Sequence, residues 1–224
     1  MLTVGASIQS REVIHEILPT GALQCNCSVF GDENTREAIV IDPGDGTDLV
    51  RLQQVLDAHA LKVKAIIITH AHIDHIGAAA KLKASTGAPV YMNSNDKTLY
   101  DHIDMQAQWL NMRVPAQTEI DVDARDGSTL TCGATELTLI HTPGHTQGSL
   151  CVLVPSEQLL IAGDTLFRDS VGRTDLPGGD HRMLLGSIKD KLLTLPAETR
   201  VIPGHGDETT IGRECEHNPF LQGL

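Results

Sequence analysis

No apolar run in this 224-residue sequence comes near the ~20 residues that a membrane-spanning helix requires. The longest are short, such as Ala65–Ile68 and Leu159–Ala162. The start, Met1–Gly5, lacks a basic region and a long apolar stretch, so no secretory leader is expected. Basic residues are scarce: 17 Lys and Arg stand against 29 Asp and Glu, a net charge of −12. No Lys/Arg cluster interrupts that excess, and a surface so acidic repels phosphate backbones and anionic lipid. Neither nucleic acid nor a membrane surface is therefore an expected partner. Cys25, Cys27, Cys132, Cys151 and Cys215 are odd in number and scattered, which argues against a disulfide framework and suits a reducing cytoplasm. Internal repeats and linkers rich in Pro, Gly or Ser are also missing, so residues 1–224 read as one domain. The chain is long enough to bury a sizeable core.

What is present is a mixture of short strands and helices. Val13–Leu18, Cys25–Phe30 and Ala38–Ile41 read as strands. Turn and cap chemistry at Asp45–Thr47 then precedes a helix with Leu49, Leu52 and Leu56 on one face. Ala65–Thr69 is a short buried strand, Ile76–Ser85 an Ala-rich helix closed by Gly87 and Pro89, and Val90–Met92 another strand. Residues 94–114 read as helical, with weak periodicity. A β-rich region follows at Thr129–Cys132, Glu136–His141, Ser149–Val154 and Gln158–Ala162. Arg182–Leu193 stacks Leu184, Ile188 and Leu192 at helical spacing, and Arg200–Ile202 is a last strand. Strands come in runs rather than in strict alternation with helices, which points to layered sheets flanked by helices.

The placement of the histidines is the informative part. Thr69 is followed by His70-Ala71-His72-Ile73-Asp74-His75, an H-x-H-x-D-H pattern with roughly 0.002 chance occurrences expected in a chain of this composition. His70 and His72, two apart on an extended segment, point to one side. Asp74 and His75 sit where the chain turns into a helix and can serve a different point in space. One ion can thus be held by the first pair and a second by the other. Further ligands lie just past three other apolar strands: His145 in Thr142–His145, Asp164 after Gly163, and His205 in Pro203–Gly206. Taken alone, each would be an ordinary loop residue. If neighbouring sheets align these strand ends, five imidazoles and two carboxylates converge, a donor set that suits zinc first and tolerates iron or manganese. Cys25 and Cys27, alternating on a strand, read as core residues, and the Gly-rich pieces at 42–46 and 177–179 read as turns.

These motifs resemble the metallo-β-lactamase superfamily, and within it the short bacterial members of the glyoxalase II (hydroxyacylglutathione hydrolase) branch. The resemblance is carried by His70–His75, Thr142–Thr146, Gly163–Phe167, Gly172–Asp175, Pro203–Gly206 and Asn218–Leu221, and it runs from Cys27 to the end of the chain. It implies an αββα sandwich, two central sheets with helices outside and two divalent metal ions at one sheet edge. One ion would sit on His70, His72 and His145, the other on Asp74, His75 and His205, with Asp164 bridging. β-Lactamases of the superfamily generally lack an Asp at that position, so Asp164 counts against an antibiotic-degrading role. Where the larger glyoxalase II enzymes use two tyrosines, this chain carries Asp175 and Asp207.

The activity implied is hydrolysis of a small-molecule thioester, an S-2-hydroxyacylglutathione such as S-lactoylglutathione. Two cations about 3.5–4 Å apart share a water, lower its pKa from 15.7 to about 7 and polarise a carbonyl. A thiolate, whose acid has a pKa near 8.5, leaves without a strong general acid. Asp74 and Asp164 are the candidates to accept the attacking water's proton, and Arg173 is the candidate to hold an anionic group of the substrate. Lactone or other ester hydrolysis is the alternative, as is a persulfide dioxygenase with a single iron. The complete second set of ligands favours a hydrolase over the dioxygenase.

Overall fold

The computed structural model describes residues 13–224, so Met1–Gly5, where no leader is expected, lies outside the described residues. The first sheet takes its strands in chain order: β1 (Val13–Thr20), β2 (Cys25–Asp32), β3 (Glu37–Ile41), β4 (Lys62–Ile67), β5 (Val90–Met92) and β6 (Val122–Asp123). β1 to β3 run antiparallel, whereas β3 to β6 are parallel. The second sheet contains β7 (Thr129–Cys132), β8 (Thr135–His141), β9 (Leu150–Val154) and β10 (Leu159–Gly163), in sequence. A small hairpin follows, β11 (Leu166–Phe167) with β12 (Ser170–Val171), before β13 (Arg200–Pro203) and β14 (Thr209–Thr210) extend the second sheet beyond β10. Sheet membership thus changes once along the chain, between Asp123 and Thr129.

Period-two patterning decides the layers. Ile39, Ile41, Ala65 and Ile67 face inward and meet Leu137, Leu139, Val152, Leu159 and Ile161 of the second sheet in one apolar slab. The alternate residues Ala38, Val40 and Ile66 face outward, where α1 (Leu49–Ala58), α2 (Ile73–Ile76), α3 (Ala79–Thr86) and α5 (Ile103–Trp109) cover them through Leu52, Leu56, Ile73, Ile76, Leu82 and Ile103; α4 (Lys97–Asp101) precedes α5. Leu160, Ala162 and Val201 face the other way and are covered by α6 (His181–Ser187), the helical turn that follows it and α7 (Ile211–His217), through Leu184, Ile188 and Ile211. This is the expected αββα sandwich. Among the described residues no helix is long and apolar enough to cross a membrane.

The structure corrects several local expectations. The helix read over Ile76–Ser85 is two pieces, because the carbonyl of Gly44 takes the Ala78 N–H at 2.8 Å and diverts it from its helical partner. Gly77 at the break lies against the loop, where a Cβ would meet the Ile73 carbonyl at 2.6 Å. The helix read over 94–114 stops at Trp109, since Asn111 adopts a left-handed φ of 51° and Pro115 follows soon after. Asp45 does not cap α1. Its carboxylate holds the Thr47 N–H and hydroxyl, while Asp48 stands at the cap and accepts the Gly21 N–H instead. α6 runs on into a wider π-helical turn over Ile188–Leu192. The sequence reading does not anticipate α7.

Candidate metal centre

β3, β4, β8, β10 and β13 all point their C-terminal ends to the same edge of the sandwich. Asp42, His70, His145, Asp164 and His205 each follow one of those ends. The two sheets are tied there by backbone: Leu150 N–H donates to the Thr69 carbonyl at 2.8 Å, and Asn26 N–H to the Gly204 carbonyl at 2.7 Å. His72 is extended (φ −75°, ψ 146°), and α2 starts at the next residue, so His70 and His72 leave one segment together while Asp74 and His75 leave the first helical turn.

All seven expected side chains converge. His70 Nε2, His72 Nδ1 and His145 Nε2 form a triangle with edges of 3.0, 3.0 and 3.2 Å. Beside it, His205 Nε2 lies 3.1 Å from Asp74 Oδ2 and 3.3 Å from His75 Nε2. Asp164 lies between the clusters, Oδ2 at 3.6 Å from His145 Nε2 and Oδ1 at 3.5 Å from His75 Nε2 and 3.8 Å from His205 Nε2. Three groups of potential ligands result: His70, His72 and His145; Asp74, His75 and His205; and His70, His75 and Asp164.

The surrounding hydrogen bonds decide which ring nitrogens carry protons. His145 Nδ1 donates to the Arg173 carbonyl and His205 Nδ1 to the Leu23 carbonyl, both at 2.8 Å. His75 Nδ1 donates to Asp42 Oδ2, also at 2.8 Å. The Thr69 hydroxyl gives its one proton to Asp42 at 2.6 Å, so its oxygen accepts from His70 Nδ1 at 3.1 Å. Four Nε2 lone pairs are thereby turned inward. Lone pairs 3.0–3.3 Å apart repel unless a cation lies among them, and these spacings approach the edge of about 3.3 Å between two nitrogens of a tetrahedral zinc site. Asp164 Oδ1 is buried with no hydrogen-bond partner, a costly state that a cation would relieve. The residues present therefore fit two divalent ions.

Electrostatics agree. Burial, reinforced by the neighbouring imidazoles, holds His70 well below the usual histidine range and brings His72 down to about 3. Burial raises the Asp74 carboxyl, but the adjacent His75 and His205 rings outweigh it and lower it below the usual carboxylate range. For His75 burial acts downward, yet Cys25, Asp42, Asp74 and Asp164 together raise it. The same ring of acidic groups that favours a proton on His75 favours a cation.

Several residues enter that sequence reasoning passed over. Asp42, read there as part of a turn, orients both His70 and His75. Its position just past an apolar strand is the same signal that flagged Asp164. Asp96, 1% exposed, accepts the Ala71 and Gly148 N–H groups and the Thr146 hydroxyl, linking the loops of His72 and His145. Buried Cys25 puts its sulfur 3.5 Å from His75 Nδ1. Arg173 reaches the site twice, by its carbonyl on His145 and by its exposed side chain at the rim of a cavity of about 410 Å³ that opens onto five of the seven, His72, Asp74, His145, Asp164 and His205.

The model of the metallo-beta-lactamase superfamily matches residues 20–205. An uncharacterized protein of Aquifex aeolicus is 45% identical over 95% of this chain and 99% of its own. Hydroxyacylglutathione hydrolase GloC of Haemophilus influenzae is 37% identical, covering 92% of this chain and 97% of its own. Among solved structures, BLEG-1 B3 metallo-beta-lactamase superposes with a TM-score of 0.86 at 37% identity, over 94% of this chain and all of the other (100%). TTHA1623 in a di-iron-bound form does so with 0.83 at 38%, over 92% and 100%.

Proposed function

Since the chain belongs to the metallo-beta-lactamase superfamily, we propose that it is a dinuclear metal-dependent hydrolase of small-molecule thioesters, with S-2-hydroxyacylglutathiones such as S-lactoylglutathione the first substrates to examine. The observation that carries this reading is the inward-facing set of lone pairs around the orphaned Asp164 Oδ1. His70, His72 and His145 would hold one ion, Asp74, His75 and His205 the other, and Asp164 would contact both. Zinc fits the donors, and iron, present in one similar structure, fits them as well. When bound, the ions supply Lewis acidity toward a carbonyl oxygen and a water acidic enough to react at neutral pH.

The protein's own groups do the rest. Asp42 and the carbonyls of Leu23 and Arg173 fix the imidazoles, so no reorientation is needed as charge develops. Asp74 and Asp164 would be the acceptors for the proton of the attacking water. A thiolate leaving group needs no proton donor. Arg173, held by Asp175 at the rim, would be the residue to meet an anionic part of the substrate. The name of the GloC relative supports the thioester assignment. The similarity to BLEG-1 favours a second reading, β-lactam hydrolysis, despite Asp164.

The test is to measure metal content and compare S-lactoylglutathione with other thioesters, a lactone and a β-lactam on one preparation. Oxygen uptake with glutathione persulfide tests the dioxygenase alternative. Two ions per chain and a preference for the thioester are expected. Full thioesterase activity in a His72→Ala, Asp164→Ala double variant would overturn the proposal.

A further inference from the structure

We propose that the cavity beside the metal centre receives a hydrocarbon arm, so that thioesters bearing an alkyl or alkanoyl chain form a further substrate class of this site. The inference rests on the hydrolase reading and extends it. Away from the histidines and aspartates, the cavity wall is Leu23, Leu99, Trp109, Leu110, Leu176 and Pro177. Trp109 is 58% exposed and Leu110 47%, large apolar groups kept in water at the entrance of a polar centre. A neighbouring cavity of about 400 Å³ shares Leu99, Gln106, Trp109 and Pro177 with the first; beyond the indole it adds Met105 to the apolar side, among polar residues such as Asn95, Thr98, His102 and Gln147.

The polar groups on that wall are already engaged. Gln106 accepts the Ile73 N–H through Oε1 and donates through Nε2 to the carbonyls of Ala71 and Leu99. Arg173 is the one Lys or Arg lining this cavity among the described residues, and Asp175 grips its guanidinium through two bonds of 2.8 Å. A glutathione arm brings two carboxylates and an ammonium to a wall that offers one already-paired cation. A hydrocarbon arm meets six apolar side chains, and each methylene laid against them is worth about two- to fourfold in affinity.

Trp109 is the only tryptophan of the sequence, so its fluorescence reports on this wall alone. Methyl ketones of increasing length, carbonyl isosteres with no hydrolysable bond, are titrated into the metal-loaded protein. A blue shift of the Trp109 emission is expected, with Kd falling at least tenfold from four to ten carbons. In parallel, kcat/KM is measured for acetyl to octanoyl thioesters of N-acetylcysteamine and for S-alkyl thioacetates of matching length. At least one series should rise tenfold or more through KM, which also assigns the arm to the acyl or the thiol side. Trp109→Ala and Leu110→Ser should each lower the long-to-short selectivity ratio about tenfold or threefold, respectively. Flat series with turnover of S-lactoylglutathione would overturn this inference alone. A length gradient in fluorescence without turnover of any thioester would overturn the hydrolase reading and the substrate claim with it.

Discussion

His75 gives its Nδ1 proton to Asp42 at 2.8 Å, and that bond aims Nε2 at His205, 3.3 Å away. The same Asp42 oxygen accepts the Thr69 hydroxyl, whose oxygen in turn receives His70. One carboxylate therefore orients a ligand in each candidate set. Asp42→Asn places an amide donor where only acceptors fit. A loss of about 10–100-fold in metal affinity is expected, read by chelator competition, with the far-ultraviolet circular dichroism kept.

Asp96 offers a related test of support at one remove. Asp96→Ala would leave the buried N–H groups of Ala71 and Gly148 without acceptors. A destabilisation of about 3 kcal/mol is expected from the urea midpoint, and Asp96→Asn should recover part of it. An unchanged midpoint in the alanine variant would remove the proposed linkage between the two ligand loops.

Removing metal should weaken the fold itself. The imidazole nitrogens meet at 3.0–3.3 Å and Asp164 Oδ1 has no partner, so the folded state binds cations that the unfolded chain does not hold. Calorimetry with and without chelator should show Tm falling on removal and recovering on addition. At free metal a hundredfold above Kd the gain is about 2.7 kcal/mol for each independent site. A Tm indifferent to chelator would count against the centre.

Stability should also depend on pH through His15 of β1, remote from the metal ligands. Burial, aided by Arg200, lowers its pKa from 6.5 to about 4. Above about pH 6.5 the residue is neutral whether the chain is folded or not, and it contributes no pH dependence. As pH falls from 6.5 toward 4 the unfolded chain takes the proton first, so the folded state loses up to about 1.4 kcal/mol per pH unit. Below about 4 both states are protonated there and the loss is complete. His15→Gln should flatten this acid-side decline in urea titrations at pH 7 and 4.5. An identical slope in the variant would exclude the histidine as its source.

How much of this was legible in the sequence depends on whether a role is local. The segment from His70 to His75 announces itself, because an extended pair followed by a helical pair is encoded in six residues. His145, Asp164 and His205 are recognisable by position, each just past an apolar strand. Asp42 carries the same mark, but its function depends on β3 lying parallel to β4, a pairing that no local pattern specifies. The carbonyls of Leu23 and Arg173 orient histidines through backbone atoms, so the identity of those side chains gives no sign of it. The break at Gly77 likewise arises from a loop more than thirty residues earlier in the sequence, Gly44 capturing the Ala78 N–H.

The single crossing from one sheet to the other has a consequence for assembly. Residues 13–123 build one lobe, and those from Thr129 onward build its counterpart. Each triad of candidate ligands draws two members from the front lobe and one from the back, so each ion would act as a clasp between them. A nick in the tether at 124–128 would leave two polypeptides whose reunion depends on the inter-sheet slab and the clasp together. Co-expressed halves should therefore recombine more readily in metal-replete medium than under chelation.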